Sequence, residues 1–336
     1  MKRKLVIYDP QWSAYAGLFS RRLGDDWEVV SDLNGIPDLL RELPGADALL
    51  ALALPLQARA AARNLKVFVY PGAGIARTDP QEYPAGCAVV NVYEHGSAIA
   101  EYVMAVILLH VTQIQRYAAS FRAGSWEGSG RTGGATHEEA SGKTLGLIGY
   151  GNIGQAVARR AVAFDMRVIA VSEDLALPPD APRPHYFGLP DALPTILGES
   201  DFLVVACPLT PRTRNMLGAP ELACLKPSAY LINVSRAEII DETALFEALR
   251  DRRIAGAALD VWYRYPHKTG MKMTGSRLPF HELPNVLATP HMAGWTSAMV
   301  ERRIARIAEN LKRLEYGEPF ERVVFTGAWR PRDEAQ

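Results

Sequence analysis

Short runs of β-branched and apolar residues alternate along this chain with stretches whose apolar positions recur every three to four residues. That alternation predicts parallel α/β sheets joined by crossover helices. In the first third, strands are predicted at residues 5–8, 28–30, 48–53, 67–70 and 88–92, with helical stretches such as 57–64 between them. A long helix is predicted from about 98 to about 121. It is apolar almost all round, so it reads as buried between domains or subunits. Residues 124–134 are Gly-rich and polar and read as a surface loop. A second series of strands opens at Thr144 and continues at 167–171, 202–206, 229–234, 256–261 and 286–288, six in all. In 296–316, Val300, Ile304, Ile307, Leu311 and Leu314 stand at helical spacing, the mark of one buried stripe. Residues 328–336 are charged and unpatterned and are expected to form a disordered tail.

Composition narrows the classes of partner. At 336 residues the chain is long enough for two full cores, and its formal net charge of zero gives no electrostatic case for nucleic acid or an acidic membrane. Cys87, Cys207 and Cys224 are scattered, without metal spacing, and fit a reducing compartment. The apolar run near the start is too short for a signal segment, and the longest apolar stretch, 102–109, is too short to cross a bilayer. The expectation is a cytoplasmic protein with no metal, no membrane and no nucleic-acid partner.

Candidate chemistry begins at Gly149-Tyr150-Gly151-Asn152-Ile153-Gly154. An apolar strand precedes it, and a helical pattern through Val157, Ala161 and Phe164 follows. In a G-x-G-x-x-G turn the first glycine permits the tight turn and the second lets backbone approach a pyrophosphate. The third lets helix and strand pack closely, with the helix N-terminus facing the phosphates. Other predicted strands of this series end in polar clusters: Cys207-Pro208 through Thr213, Asn233-Val234-Ser235-Arg236 with Asp241, Asp260 through Tyr265-Pro266, and Thr289-Pro290-His291 through Gly294. Such side chains are expensive as core and sensible as a ligand site. Singly, Arg236 could be a capping or ion-pair residue and His291 a hydrogen-bonded core histidine. Together, at neighbouring strand ends, they point to a site.

Taken in order, these segments resemble the D-isomer-specific 2-hydroxyacid dehydrogenases. The carriers are Gly124-Ser125-Trp126, Gly142-Lys143-Thr144, the Gly149–Gly154 turn, Pro208 to Thr213, Asn233-x-x-Arg236, Asp241, Ala258-Leu259-Asp260-Val261 and Thr289 to Gly294. The resemblance spans roughly the whole chain. It implies two doubly wound parallel-sheet α/β domains: a Rossmann cofactor domain, 98–296, inserted into a discontinuous flavodoxin-like substrate domain, 1–97 and 297–327. The helices at 98–121 and 296–316 would be the crossings. Arg236 would bind a substrate carboxylate, which suits its fixed charge and forked donors. His291 would be the acid/base, and Asp260 would face the nicotinamide or hold Arg236. The backbone of Gly72-Ala73-Gly74 would form an anion nest for the carboxylate. Cofactor contacts would come from Gly149, Tyr150, Gly151, Asn152, Ile153 and Gly154, and from Ser172, Glu173, Cys207, Pro208, Thr213, Val234, Ser235, Asp260, His291 and Gly294. Cys207 would serve as a small apolar wall and not as a nucleophile. On the loop before the long helix, Tyr93, Glu94 and His95 read equally as capping, together with Ser97, or as substrate contact. A homodimer through the cofactor domains is implied.

The chain departs from the family pattern in three places. The family's Glu, five residues after the aspartate and just before a proline, hydrogen-bonds the histidine; here it is Tyr265. A neutral phenol can orient His291 but cannot stabilise an imidazolium, so a lower pKa on His291 and weaker reduction at alkaline pH are expected. Glu282 is the candidate substitute. Chemistry with little proton transfer, such as oxidation of a small anion like formate, and loss of activity are the other outcomes. Next, Ser172 stands where an acid normally binds the ribose, with Glu173 and Asp174 just beyond and no basic residue close by, so NAD is expected over NADP. Finally, Ala76-Arg77 replaces an Asp-Asn pair after the Gly72–Gly74 turn, and 265–279 is long and basic, with His267, Lys268, Lys272 and Arg277. Arg77 reads as a solvated loop residue or a second anion anchor. The leading expectation is an NAD-dependent oxidoreductase of 2-hydroxy and 2-keto acids; the rival is a catalytically silent dinucleotide-binding sensor or scaffold.

Overall fold

The computed structural model describes residues 2–74, 79–267 and 270–330. Thirteen strands are formed among them: β1 (Arg3–Ile7), β2 (Trp27–Val30), β3 (Ala48–Leu50), β4 (Val67–Tyr70), β5 (Ala88–Asn91), β6 (Thr144–Ile148), β7 (Arg167–Val171), β8 (Tyr186–Gly188), β9 (Phe202–Val205), β10 (Tyr230–Asn233), β11 (Gly256–Leu259), β12 (Val286–Ala288) and β13 (Val323–Thr326). The chain divides into two compact units, Met1–Glu94 with Ser297–Gln336, and His95–Thr296.

In the first unit the sheet order is β13-β5-β4-β3-β1-β2. Without β13 it is the 2-1-3-4-5 order of a flavodoxin-like doubly wound sheet. Leu5, Val6 and Ile7 are fully buried, as a strand covered on both faces must be. The Ser297–Tyr316 helix lays Val300, Ile304, Ile307 and Leu311 into the core beside Phe19 and Leu23, the stripe that the spacing predicted. β13 pairs antiparallel with β5 and is not among the predicted strands; it is a short edge strand with three of its four residues exposed. The stretch 57–64 forms only a 3-10 turn, Leu56–Ala58, and loose turns, not a helix. The expectation of a disordered tail fails at 328 and 329. Ala328 donates to the Pro80 carbonyl, and Trp329 exchanges backbone hydrogen bonds with Tyr83 and Ala85. Residues 331–336 lie outside the described residues, as do Arg77 and Lys268.

The second unit holds a parallel sheet in the order β12-β11-β10-β9-β6-β7-β8. Counted from β6 this is 3-2-1-4-5-6-7, a Rossmann order with an added edge strand. β8 is the strand not predicted; at three residues, following a proline-rich passage, it has too little pattern to read. Strand order reverses between β6 and β9, so a crevice opens where these two strands end.

The long predicted helix is two. Gly96–Thr112 packs on the Asn152–Ala163 helix, with Val103, Met104 and Ile107 in the core of this unit. Gln113 then turns left-handed at φ 47°, and Ile114–Arg122 continues at a bend of 55° with none of its residues buried. Burial of the second half therefore fails, because Gln115, Arg116, Ser120 and Arg122 leave it only a narrow apolar stripe. Among the described residues no single helix is long and apolar enough to cross a membrane.

Candidate active site

The glycine turn sits at the end of β6, on the crevice. Gly149 has φ 97°, and a Cβ there would stand 2.6 Å from the Cys207 backbone nitrogen, so β6 and β9 approach too closely for any side chain. A Cβ on Gly154 would collide with the Gly149 carbonyl oxygen, which fixes the helix start against the turn. A Cβ on Gly151, by contrast, would meet nothing within 4 Å. The chain keeps this one glycine bare toward open space. The Asn152–Ala163 helix begins there, and the first amides of a helix have no acceptor within it. The residues present thus fit a pyrophosphate.

The neighbours divide into exposed groups and supports. Tyr150 is a support: its ring is buried against Phe187 and its hydroxyl donates to the Pro182 carbonyl at 2.6 Å, which leaves no side chain for a ligand. Ser172 follows β7, and its amide donates to Gly188. Glu173 is exposed, and its charge reaches the Cys207 thiol, which burial chiefly pushes up to about 11. Cys207 is therefore a neutral thiol, consistent with a wall and not a nucleophile. Thr213 closes its own turn, donating to the Pro208 carbonyl at 2.7 Å and accepting from the Thr210 amide at 2.8 Å. Val234 and Ser235 are buried, and Ser235 donates to the Cys207 carbonyl. A Cβ on Gly294 would lie 3.3 Å from that of His95. The capping reading of His95 fails: its side chain makes no cap bond to the Gly96–Thr112 helix, and Ser97 instead accepts from Arg160 at 2.6 Å. In the first unit, the Gly72-Ala73-Gly74 turn follows β4. Its Ala73 carbonyl takes a bond from Asn91 Nδ2 at 2.7 Å and its Gly72 carbonyl one from the Val92 amide.

Beyond β10, Asn233 shapes the turn that carries Arg236. Its Oδ1 accepts from the Ser235 amide at 3.1 Å and its Nδ2 donates to the Arg236 carbonyl at 3.0 Å. The Arg236 guanidinium donates to the Ser235 carbonyl at 2.8 Å. Among the described residues it has no carboxylate within ion-pair distance, so Asp260 does not hold it. Arg236 is an uncompensated, half-buried cation.

Asp260 instead holds the segment that presents His291. This buried carboxylate accepts from Thr289 Oγ1 at 2.6 Å, from the Met292 amide at 2.8 Å and from the Ala293 amide at 2.9 Å. His291 between them is left-handed, φ 56°, a conformation three such bonds can impose. Tyr102 bonds the Thr289 hydroxyl at 2.8 Å, and Trp262 Nε1 donates to the Thr289 carbonyl at 2.8 Å. Thr289 and Trp262 are the supports that sequence reasoning left without a role. The available signal was that a buried aspartate needs donors and an indole needs an acceptor.

Tyr265 reaches His291: its hydroxyl lies 2.9 Å from Nδ1 and accepts from the Trp262 amide at 3.1 Å. Glu282 does not substitute; its neighbour is the His281 ring, 3.9 Å away. The packing around the His291 ring pushes its pKa below the ordinary value. Asp260 opposes that shift and the Arg236 charge adds to it. Burial pushes the Tyr265 phenol up, against the Trp262 amide and Arg236, which pull it down. Arg236, Tyr265 and His291 thus lie within one another's electrostatic reach at the ends of β10, β11 and β12.

A switch-point crevice with a bare glycine, a helix N-terminus, a cation without an ion-pair partner among the described residues and a clamped histidine is the arrangement of a dinucleotide-binding α/β protein. Residues 104–293 match the family model described as D-isomer specific 2-hydroxyacid dehydrogenase, NAD binding domain. The chain is similar to the D-3-phosphoglycerate dehydrogenase of Methanocaldococcus jannaschii, 34% identical over 265 residues, covering 78% of this chain and 48% of that protein, so it spans about half of that relative. It is similar over most of both lengths to the glycerate dehydrogenase of Methylorubrum extorquens, 33% identical over 289 residues, 84% of this chain and 87% of that one. Among solved structures, an NADPH-dependent glyoxylate/hydroxypyruvate reductase of Sinorhizobium meliloti, in complex with NADP and sulfate, superposes with a TM-score of 0.76 at 26% identity, covering 96% of this chain and 98% of that one. The chain belongs to the D-isomer specific 2-hydroxyacid dehydrogenase family. It carries that family's NAD-binding domain and is an NAD(P)-linked oxidoreductase of hydroxy acids.

Proposed function

We propose that this protein interconverts a 2-hydroxy acid and its 2-keto acid with NAD as the preferred cofactor, Arg236 binding the carboxylate and His291 acting as acid/base. The observation that carries the reading is the uncompensated Arg236 guanidinium within electrostatic reach of a clamped histidine. A forked cation with no protein carboxylate to pair with suits a bidentate carboxylate ligand, and its charge polarises the adjacent carbonyl. His291 then protonates the oxygen that becomes a hydroxyl. The Gly149–Gly154 turn and the helix after it would hold the pyrophosphate, and Ser172 and Glu173 the ribose. Reduced cofactor, when bound, supplies the hydride.

The preference for NAD rests on Glu173, whose carboxylate accepts from ribose hydroxyls and repels a 2′-phosphate. We place the enzyme in the cytoplasm as a homodimer through the cofactor domains. Exposed Ile114, Phe121 and Trp126 are the apolar surface such a partner would cover.

Consumption of NADH and of NADPH with glyoxylate, hydroxypyruvate and phenylpyruvate tests both parts. At least one acid is expected to turn over, with kcat/KM about tenfold or more higher for NADH. Equal efficiency with both cofactors removes the role given to Glu173. Binding of NADH without turnover of any acid supports a silent sensor instead.

A further inference from the structure

We propose that Tyr265 inverts the hydrogen bond to His291, holding the neutral ring with its proton on Nε2 and resupplying that proton through Nδ1. A phenol has one hydrogen and accepts through its lone pairs. The Trp262 amide, 3.1 Å away, can only donate, so it occupies an acceptor position on the Tyr265 oxygen. The other polar atom within bonding distance, among the described residues, is His291 Nδ1 at 2.9 Å. Directing the phenol hydrogen at Nδ1 satisfies all three groups. The reverse arrangement would aim two N–H donors at the oxygen and leave its hydrogen without a protein acceptor. Nδ1 is therefore the acceptor, and in the neutral ring the proton sits on Nε2.

A carboxylate at this position would do the opposite. It can only accept, so it holds the proton on Nδ1 and leaves Nε2 bare unless the ring is fully protonated. With Tyr265 the neutral ring is already an acid at Nε2. The direction of the His291 shift agrees, since packing and Arg236 both favour the neutral ring.

The proton steps balance. The Nε2–H bond breaks as the new hydroxyl's O–H bond forms, and Nδ1 takes the Tyr265 proton as the phenol O–H bond breaks. The resulting phenolate keeps the Trp262 N–H bond and has the Arg236 charge nearby; it takes the Nδ1 proton back as Nε2 regains one from solvent, which restores the starting tautomer. Tyr265 acts through the imidazole, as a positioning residue and proton reservoir. The expected weakness at alkaline pH follows only where an imidazolium is the donor. A neutral Nε2–H donor keeps reduction going above the His291 pKa.

The relay rests on the function proposed above; the tautomer rests on hydrogen-bond geometry alone, and the test separates them. Histidine-selective ¹⁵N labelling of the full chain, with His291→Gln to assign the signal among seven histidines, reads the tautomer directly. The neutral ring is expected to show an unprotonated Nδ1 and a protonated Nε2. Tyr265→Phe is expected to lose that bias. Tyr265→Glu is expected to move the proton to Nδ1 and raise the ring's titration midpoint. In turnover, kcat for keto-acid reduction is expected to change less than about threefold from pH 7 to 9 in the wild type. In Tyr265→Glu it is expected to fall about tenfold per pH unit above the ring's pKa. A protonated Nδ1 in the wild type, or an unchanged tautomer in Tyr265→Phe, overturns the proposal. The expected tautomer with no turnover of any keto acid overturns the relay and the function together, and leaves the hydrogen-bond assignment standing.

Discussion

Replacing Arg236 or His291 with alanine is expected to abolish most turnover while leaving NADH binding intact. Arg236→Ala removes a forked cation that has no protein carboxylate to neutralise it. Truncating one partner of a desolvated charge pair costs about 2–5 kcal/mol, so kcat/KM for the keto acid should fall about 10³-fold. Arg236→Lys keeps the charge and loses the fork, and should recover only part of that loss. His291→Ala removes the general acid and should lower kcat about 10² to 10⁴-fold. Both side chains lie at the ends of strands and outside the core clusters, so the thermal midpoint should hardly move. Steady-state kinetics beside NADH fluorescence titration check this. Loss of NADH affinity in either variant, with kcat unchanged, would assign both residues to cofactor binding.

Gly151→Val is expected to fold normally and bind NADH about 100-fold more weakly, close to 3 kcal/mol. A Cβ at Gly151 meets nothing within 4 Å, so the valine costs the folded chain little; its methyl groups occupy space that a pyrophosphate needs. Gly154→Val provides the contrast. There the side chain runs into the Gly149 carbonyl, and overpacking should destabilise the fold by about 3 kcal/mol. Thermal melts separate the two: a large loss of stability in Gly151→Val, or unaltered NADH affinity, would show that the open space belongs to no phosphate.

These effects differ in how far the sequence alone exposes them. The glycine spacing, Arg236 and His291 were legible because each sits at the end of an apolar run, where a polar residue has few structural reasons to be. The roles of Asp260 and Thr213 were not. Asp260 reads as facing the nicotinamide or holding Arg236; it does not hold Arg236, and its oxygens accept from Thr289, Met292 and Ala293, 29 to 33 residues away. Which donors a buried carboxylate finds depends on chain return, and no local pattern encodes it. Thr213 reads as a ligand residue by position; the bonds by which its hydroxyl closes its own loop have no local signal. Short edge strands escaped for a related reason: β8 and β13 have three and four residues, so a two-residue period has little room to show. The break at Gln113 was hidden because apolar residues on both sides continue the helical spacing, while one left-handed residue bends the axis by 55°.

The central claim is that a hydride reaches the C2 carbon of a 2-keto acid in this site. Incubating the protein with phenylpyruvate and NADH deuterated at nicotinamide C4, then analysing the product on a chiral column with mass detection, tests it most directly. The account predicts the D-isomer of the 2-hydroxy acid, carrying deuterium at C2, and none from His291→Ala on the same timescale. NADH that binds and is consumed without deuterium appearing at C2, or a product of the L configuration, would contradict it.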